Sequence, residues 1–284
     1  MLDDSLAASY LERLGVEAPR GEVDVALLTA LQRAHIAAVP YENLDIVGGS
    51  PPGIDPAASV RRIVAGRGGY CYHLNGSFAA LLEWLGVDVT RHLSGVQGRS
   101  AVEPPGPNGN HLGLTVAVDG ARWLVDTGTG DGPAEPLPLE EGRYEQEGFV
   151  FTLGSSPLAP GGWRLEHDAR GSWLLFDMAA EPATTNDFAA MHTKLSTDPE
   201  SGFVRTATIM RRVGARAEVL RGCVFSERDG DDEQLHEIDA ADDWWGLVID
   251  RFGLAYGDLS TAERDELWRR VRATHEAWDA AGRP

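Results

Sequence analysis

The chain has 284 residues, 43% of them hydrophobic, which is enough for a substantial core and long for one domain, so roughly two or three structural units are expected. Its 44 acidic residues outweigh 25 basic ones, a formal charge of -19 that repels nucleic acid and anionic membranes and sets a problem for any anionic substrate. Two cysteines, Cys71 and Cys223, form neither a disulfide framework nor a zinc cluster. The acidic N-terminus lacks the basic start and apolar run of a secretion signal, and no apolar stretch approaches the roughly 20 residues of a membrane span. A cytoplasmic location follows as the expectation, and there a free thiol can act as a reagent. Lys194 is the only lysine, a bias that reads as codon usage rather than function.

Residues 1–85 carry helical patterns. Leu6, Tyr10, Leu11 and Leu14 fall at helical spacing before Gly15, and Asp24 can cap a second helix that Pro40 ends. A loop, YENLDIVGGSPPGID, follows. Asp55–Pro56 then starts a helix ending near Gly66, and a fourth carries Phe78, Leu81, Leu82 and Leu85 on one side. After Gly86 the pattern changes to alternating or apolar strand-like runs at 87–96, 111–118, 121–126, 148–153, 163–168 and 172–178, a barrel or sandwich over about 87–190. Two more strands are expected at 203–212 and 217–225, then helices around 240–252 and 261–279.

Cys71 follows Arg67-Gly68-Gly69-Tyr70 and opens the fourth helix. The two glycines are expected to permit turns closed to other residues. A helix N-terminus favours thiolate over thiol, and its free N–H groups can receive an oxyanion. A buried, inert core cysteine is the other reading of Cys71 alone. Asp119-Gly120 is a strong two-residue hairpin signal. In that register Val118 faces Ala121, and Asp126 sits two residues before the position opposite His111. The two therefore share a face, diagonally across the pair, provided the turn does not contain three residues. So placed, Asp126 can fix the imidazole tautomer while the other ring nitrogen addresses the thiol. Otherwise His111 is a strand histidine and Asp126 a turn residue.

RGGYCYHLNG around Cys71, the isolated His111 beginning a strand, and Asp126-Thr127-Gly128-Thr129-Gly130 together resemble the arylamine N-acetyltransferase family. VPYENL at 39–44 is similar to that family's VPFENL, and STDPESGFV at 196–204 and DRFGL at 250–254 keep the family order. The resemblance covers most of the chain. It implies an α+β fold with a cysteine-protease-like triad: a helical bundle at 1–86 carrying the nucleophile, a β-barrel at 87–190 carrying His and Asp, and an α/β lid at 191–284. It also implies ping-pong acyl transfer from acetyl-CoA or another acyl-CoA, as cosubstrate, to a small-molecule amine. No permanent cofactor, metal, nucleic acid or membrane partner is implied. Cys71 becomes the nucleophile, His111 the base and Asp126 the orienter, with oxyanion donors at the Cys71 N–H and just after His111. Tyr41, Val96, Thr129 and Phe203 match substrate-pocket positions, Gly128 and Gly130 would border the CoA phosphates, and Glu42 and Arg67 match a buried pair bracing the nucleophile loop.

Two positions depart from the family pattern. His73 stands where a glutamate is common; it reads as a structural helix residue, with a second titrating group near the thiol as the alternative. Thr129 stands where a phenylalanine commonly lines the acceptor pocket, so weak turnover of simple arylamines is expected, improved by Thr129→Phe with acylation little changed. A roomier pocket would also suit an amide synthase that takes a larger, polyketide-type acyl thioester. A thiol hydrolase and a non-catalytic acyl-thioester-binding protein are the remaining alternatives. Cys223 and Trp244-Trp245 read as core, and the acidic run 229–233 as a solvated turn.

Overall fold

Capping chemistry sets the helices of the first third. In the computed structural model, which describes residues 2–19, 21–230 and 232–281, α1 (Asp4–Leu14) begins where the Asp3 side chain accepts the Leu6 N–H and ends where Gly15 takes φ 69°. α2 (Val25–Ala38) is capped by Asp24. The segment expected to be a loop instead holds β1 (Tyr41–Glu42) and a single turn, α3 (Leu44–Val47). α4 (Pro56–Val64) starts on Asp55 as expected, and α5 (Cys71–Trp84) is buried at every residue from Cys71 to Leu82. It is the central helix of the main core, packed on by Tyr10, Leu31, Val60, Leu114 and Val116.

Eight strands follow: β2 (Asp88–Gly98), β3 (His111–Val118), β4 (Ala121–Val125), β5 (Leu137–Pro138), β6 (Gly142–Gln146), β7 (Phe149–Ser155), β8 (Trp163–Glu166) and β9 (Trp173–Ala183). They pair antiparallel in the order β5-β4-β3-β2-β9-β8-β7-β6. The Gln146 side chain spans the gap between the two edges, bonding the Glu135 N–H and carbonyl at 3.0 and 3.1 Å. The sheet is thereby a nearly closed barrel around Leu124, Phe149, Phe151, Leu165 and Phe176.

A 3₁₀ turn at Thr185–Phe188 leads to α6 (Ala189–Thr197) and α7 (Gly202–Arg205). A second antiparallel sheet then forms from β10 (Thr208–Val213), β11 (Arg216–Arg221), β12 (Val224–Asp229) and β13 (Asp232–Glu237), with β1 added beside β10. α8 (Ala241–Gly246) continues into a π-helical turn at Leu247–Arg251, and α9 (Thr261–Ala280) starts from a Ser260/Glu263 capping box.

Two expected strands are corrected. The run 203–212 begins as α7, because the Ser201 hydroxyl caps Phe203. The run 217–225 is broken by a turn at Gly222, φ 58°, so β11 folds back onto β12. Cys223 is fully buried in that turn rather than in a strand. Trp244 and Trp245 pack with Phe225, Tyr256 and Leu267, as core. Asp231 of the acidic run lies outside the described residues; Asp229 and Asp232 on either side face one another at the β12–β13 turn. Among the described residues no helix is long and apolar enough to cross a membrane.

Candidate active site

Cys71 is the first residue of α5 and 4% exposed. The glycines before it are required for space, which corrects the expectation of unusual turns: neither has a left-handed φ. A Cβ on Gly68 would lie 2.2 Å from the Pro40 carbonyl oxygen, and one on Gly69 2.5 Å from His73 Cβ. The loop before Cys71 can therefore lie flush on β1, where the Glu42 N–H donates to the Gly69 carbonyl at 2.9 Å.

The hairpin expected at Asp119-Gly120 forms, with φ 54° and 73° and Val118 opposite Ala121. Its register runs back to Leu114 opposite Val125, so His111 heads β3 and Asp126 stands just past the end of β4. They meet across the diagonal: His111 Nε2 lies 2.6 Å from Asp126 Oδ2, with both residues buried. The Cys71 thiol donates to the Asn110 carbonyl at 3.6 Å and lies close enough to the ring to help hold its positive charge. With Nε2 engaged by Asp126, Nδ1 is the nitrogen left for the sulfur. The Phe176 ring packs on the imidazole with centroids 5.2 Å apart.

Burial alone would lower the His111 pKa. The charge and hydrogen bond of Asp126, with Cys71 beside it, overcome burial and raise the imidazole from 6.5 to about 10. A group raised in this way stabilises the fold fully below pH 6.5 and loses that contribution as pH rises through about 10. The difference in urea-unfolding stability between wild type and His111→Gln is expected to be largest below pH 6.5 and to shrink towards pH 10. A difference that stays flat over that window would remove the ion pair. The Cys223 thiol, by contrast, is pushed up to about 11 by burial.

Asn75, which was not among the expected site residues, ties these pieces together. Its Nδ2 donates to the Leu112 carbonyl at 2.7 Å and to Asp126 Oδ2 at 3.2 Å, and its Oδ1 accepts from the Thr127 N–H at 2.7 Å. The signal was available: the i,i+4 spacing from Cys71 puts both residues on one face of α5. Position 128 must be a glycine to lie this close to Cys71, because a Cβ there would stand 2.8 Å from Cys71 Cα.

A cleft of about 620 Å³ opens on Cys71 and His111. Tyr41, Val96, Gly128, Thr129 and Phe203 line it, and so do the unforeseen Asn110, Trp173, Met210, Lys194 and Arg221. Asp126 sits behind the wall, and Gly130 does not line the cleft. It takes φ 79°, and a Cβ there would lie 3.0 Å from the Met210 side chain.

His73 lies off the cleft as well. It borders a small space with Glu42 and Arg62, and burial, then Arg62 and His192, lower its pKa to about 3, so it stays neutral. The expected Glu42–Arg67 pair is not formed. Arg62 on α4 reaches Glu42 at 3.5 Å, while Arg67 bonds Asp258 at 2.8 Å and stacks 3.5 Å over the Tyr256 ring. The Tyr256 hydroxyl donates to Glu42 at 3.2 Å, so the brace runs through a tyrosine from the C-terminal segment.

A family model described as N-acetyltransferase matches residues 24–259. An arylamine N-acetyltransferase of Mycolicibacterium smegmatis is 33% identical over 261 residues, 88% of this chain and 92% of that protein. Proansamycin X synthase of Amycolatopsis mediterranei (strain S699) is 39% identical over 153 residues, 51% of this chain and 56% of that protein. The solved M. smegmatis arylamine N-acetyltransferase is 31% identical with a TM-score of 0.84, over 95% of this chain and 98% of that one. The Mycobacterium marinum arylamine N-acetyltransferase solved in complex with CoA is 26% identical with the same TM-score, over 93% and 98%. With sequence similarity running nearly end to end and the fold in agreement, this chain belongs to the arylamine N-acetyltransferase family of acyl-transferring enzymes.

Proposed function

We propose that this chain moves an acyl group from acyl-CoA to an amine through a thioester on Cys71. The observation that carries the reading is the buried His111–Asp126 contact behind a thiol that faces a drug-sized cleft. The Cys71 thiolate attacks the thioester carbonyl, the backbone N–H groups at Cys71 and just after His111 receive the oxyanion, and CoA leaves with the proton held by His111. The amine then attacks the acyl-cysteine and gives its proton to His111 as the thiolate leaves. Asp126 holds the ring for both steps. In this reading residues 1–86 bring the nucleophile, 87–190 the base and its orienter, and 191–284 close the cleft. Two free thiols accord with a cytoplasmic setting.

Tyr41, Val96 and Phe203 form the acceptor pocket, and Trp173 supplies a ring that position 129 does not. The Gly128 N–H already donates to Asp126 Oδ1 at 2.9 Å, so it is not free for a phosphate of the donor. Lys194 and Arg221 on the cleft wall are cations suited to that task. Asp198 and Glu200 line the same cleft, so the two cations place an anion without making the whole cleft positive.

The volume of the cleft and the similarity to Proansamycin X synthase also favour a larger acyl donor, as in an amide synthase. Incubation with acyl-CoAs of increasing size, without amine, is expected to add one acyl mass to the intact protein, and an added arylamine to remove it as the amide. No adduct with any donor would sink the thioester reading. Adducts with large acyl groups only would select the amide synthase, and loss of adduct without amine would select a hydrolase.

A further inference from the structure

We infer that Thr129 is a positioning residue for acylation, its hydroxyl fixing the rotation of the Asp126 carboxylate and through it the tilt of His111 towards Cys71. The inference rests on the Cys71–His111–Asp126 reading above.

The Asp126 carboxylate is met from two sides. Oδ2 faces His111 Nε2 at 2.6 Å and accepts from Asn75 at 3.2 Å; Oδ1 accepts from the Gly128 N–H at 2.9 Å and from Thr129 Oγ1 at 3.1 Å. The terminal torsion of an aspartate is broad and two-fold, so the backbone alone does not set the carboxylate plane. Donors on both oxygens do. The Gly128 bond is a local turn contact within two residues. The Thr129 hydroxyl is the second hold on Oδ1, and it opposes the pull of His111 and Asn75 on Oδ2.

Packing keeps that hydroxyl in place. A Cβ built on Gly132 would stand 2.0 Å from Thr129 Oγ1, so the hydroxyl occupies room that only a glycine leaves open. Thr129 lines the cleft, but its hydroxyl is committed to the Asp126 and Gly132 side, which leaves the methyl for the cleft. Position 129 therefore does more than shape the acceptor pocket. A phenylalanine cannot donate to Asp126, and its ring has no place against Gly132. The expectation that Thr129→Phe leaves acylation unchanged is replaced: it fills the cleft and slows acylation.

The test compares wild type, Thr129→Val and Thr129→Ser, each with Asp126 intact and again in the Asp126→Asn background. Two rates are read: single-turnover acylation by acetyl-CoA, and alkylation of Cys71 by iodoacetamide, which stays measurable when acyl transfer is slow. Loss of one hydrogen bond to a charged group predicts that Thr129→Val, equal in shape, slows acylation about tenfold with the donor KM unmoved. Thr129→Ser should recover most of the rate, and in the Asp126→Asn background valine and threonine should alkylate alike. Wild-type rates in Thr129→Val, equal slowing in the serine and valine variants, or a full additive loss in the Asp126→Asn background would each overturn the assignment. Normal acylation by Asp126→Asn alone would remove the triad reading itself, a failure read without any Thr129 variant.

Discussion

Incubated with acetyl-CoA and no amine, the wild-type protein is expected to gain a single acetyl group that peptide mapping places on Cys71, and Cys71→Ala to gain none. Turnover of Cys71→Ala should fall on the order of 10⁶-fold, as when a hydrolase loses its nucleophile. Cys71 is the thiol on the cleft wall beside an imidazole raised to about 10. Cys223, fully buried under Trp244 and held protonated by burial, offers no substitute. Cys223→Ala therefore serves as the control and should retain activity. An adduct mapped elsewhere, or turnover by Cys71→Ala, would end the assignment.

Asp126→Asn is expected to fold and to lose about 10⁴-fold in acylation, the size of the effect when a triad aspartate becomes an amide. The reason lies in the four polar hydrogens around the carboxylate. Asn75, the Gly128 N–H and the Thr129 hydroxyl all donate to Asp126, and His111 Nε2 completes the set. An asparagine has one acceptor oxygen and must aim its NH2 at groups that are themselves donors. Facing the amide to His111 forces the other tautomer and takes the base away from the sulfur. Facing it the other way leaves the Gly128 N–H and Thr129 hydroxyl unpaired, a cost of about 1–3 kcal/mol for each buried group. That is tolerable against a typical stability of about 5–15 kcal/mol. Circular dichroism checks the fold and single-turnover acylation the rate. A folded variant acylated at the wild-type rate would exclude Asp126 from the mechanism.

Much of the proposed triad was legible because its signals are local. Asp119-Gly120 dictates a two-residue turn, a two-residue turn dictates parity, and parity puts His111 and Asp126 on one face. Asp24, Asp55 and Gly15 mark helix ends within a few residues of themselves. The strands at 203–212 and 217–225 were misjudged at their ends because apolar alternation continues through a capped turn and a glycine turn, and β13, which is exposed at every residue, carries no such alternation.

By itself the sequence determined the helix-to-strand order, the cysteine at a helix start, the histidine–aspartate diagonal and the family. The first three follow from spacing within one element or one hairpin, where covalent geometry limits the choices, and the family follows from the resemblance carried by the motifs around Cys71, His111 and Asp126. Tertiary structure decided the rest: Arg62 rather than Arg67 at Glu42, Tyr256 bridging from the far end of the chain, Lys194 and Arg221 converging on the cleft, and the Thr129 hydroxyl turned onto Asp126 instead of into the pocket. These contacts join groups whose relative positions depend on how elements pack, and Thr129 shows it at shortest range. Three residues from Asp126, its hydroxyl faces the carboxylate because Gly132 leaves the space for it to lie there.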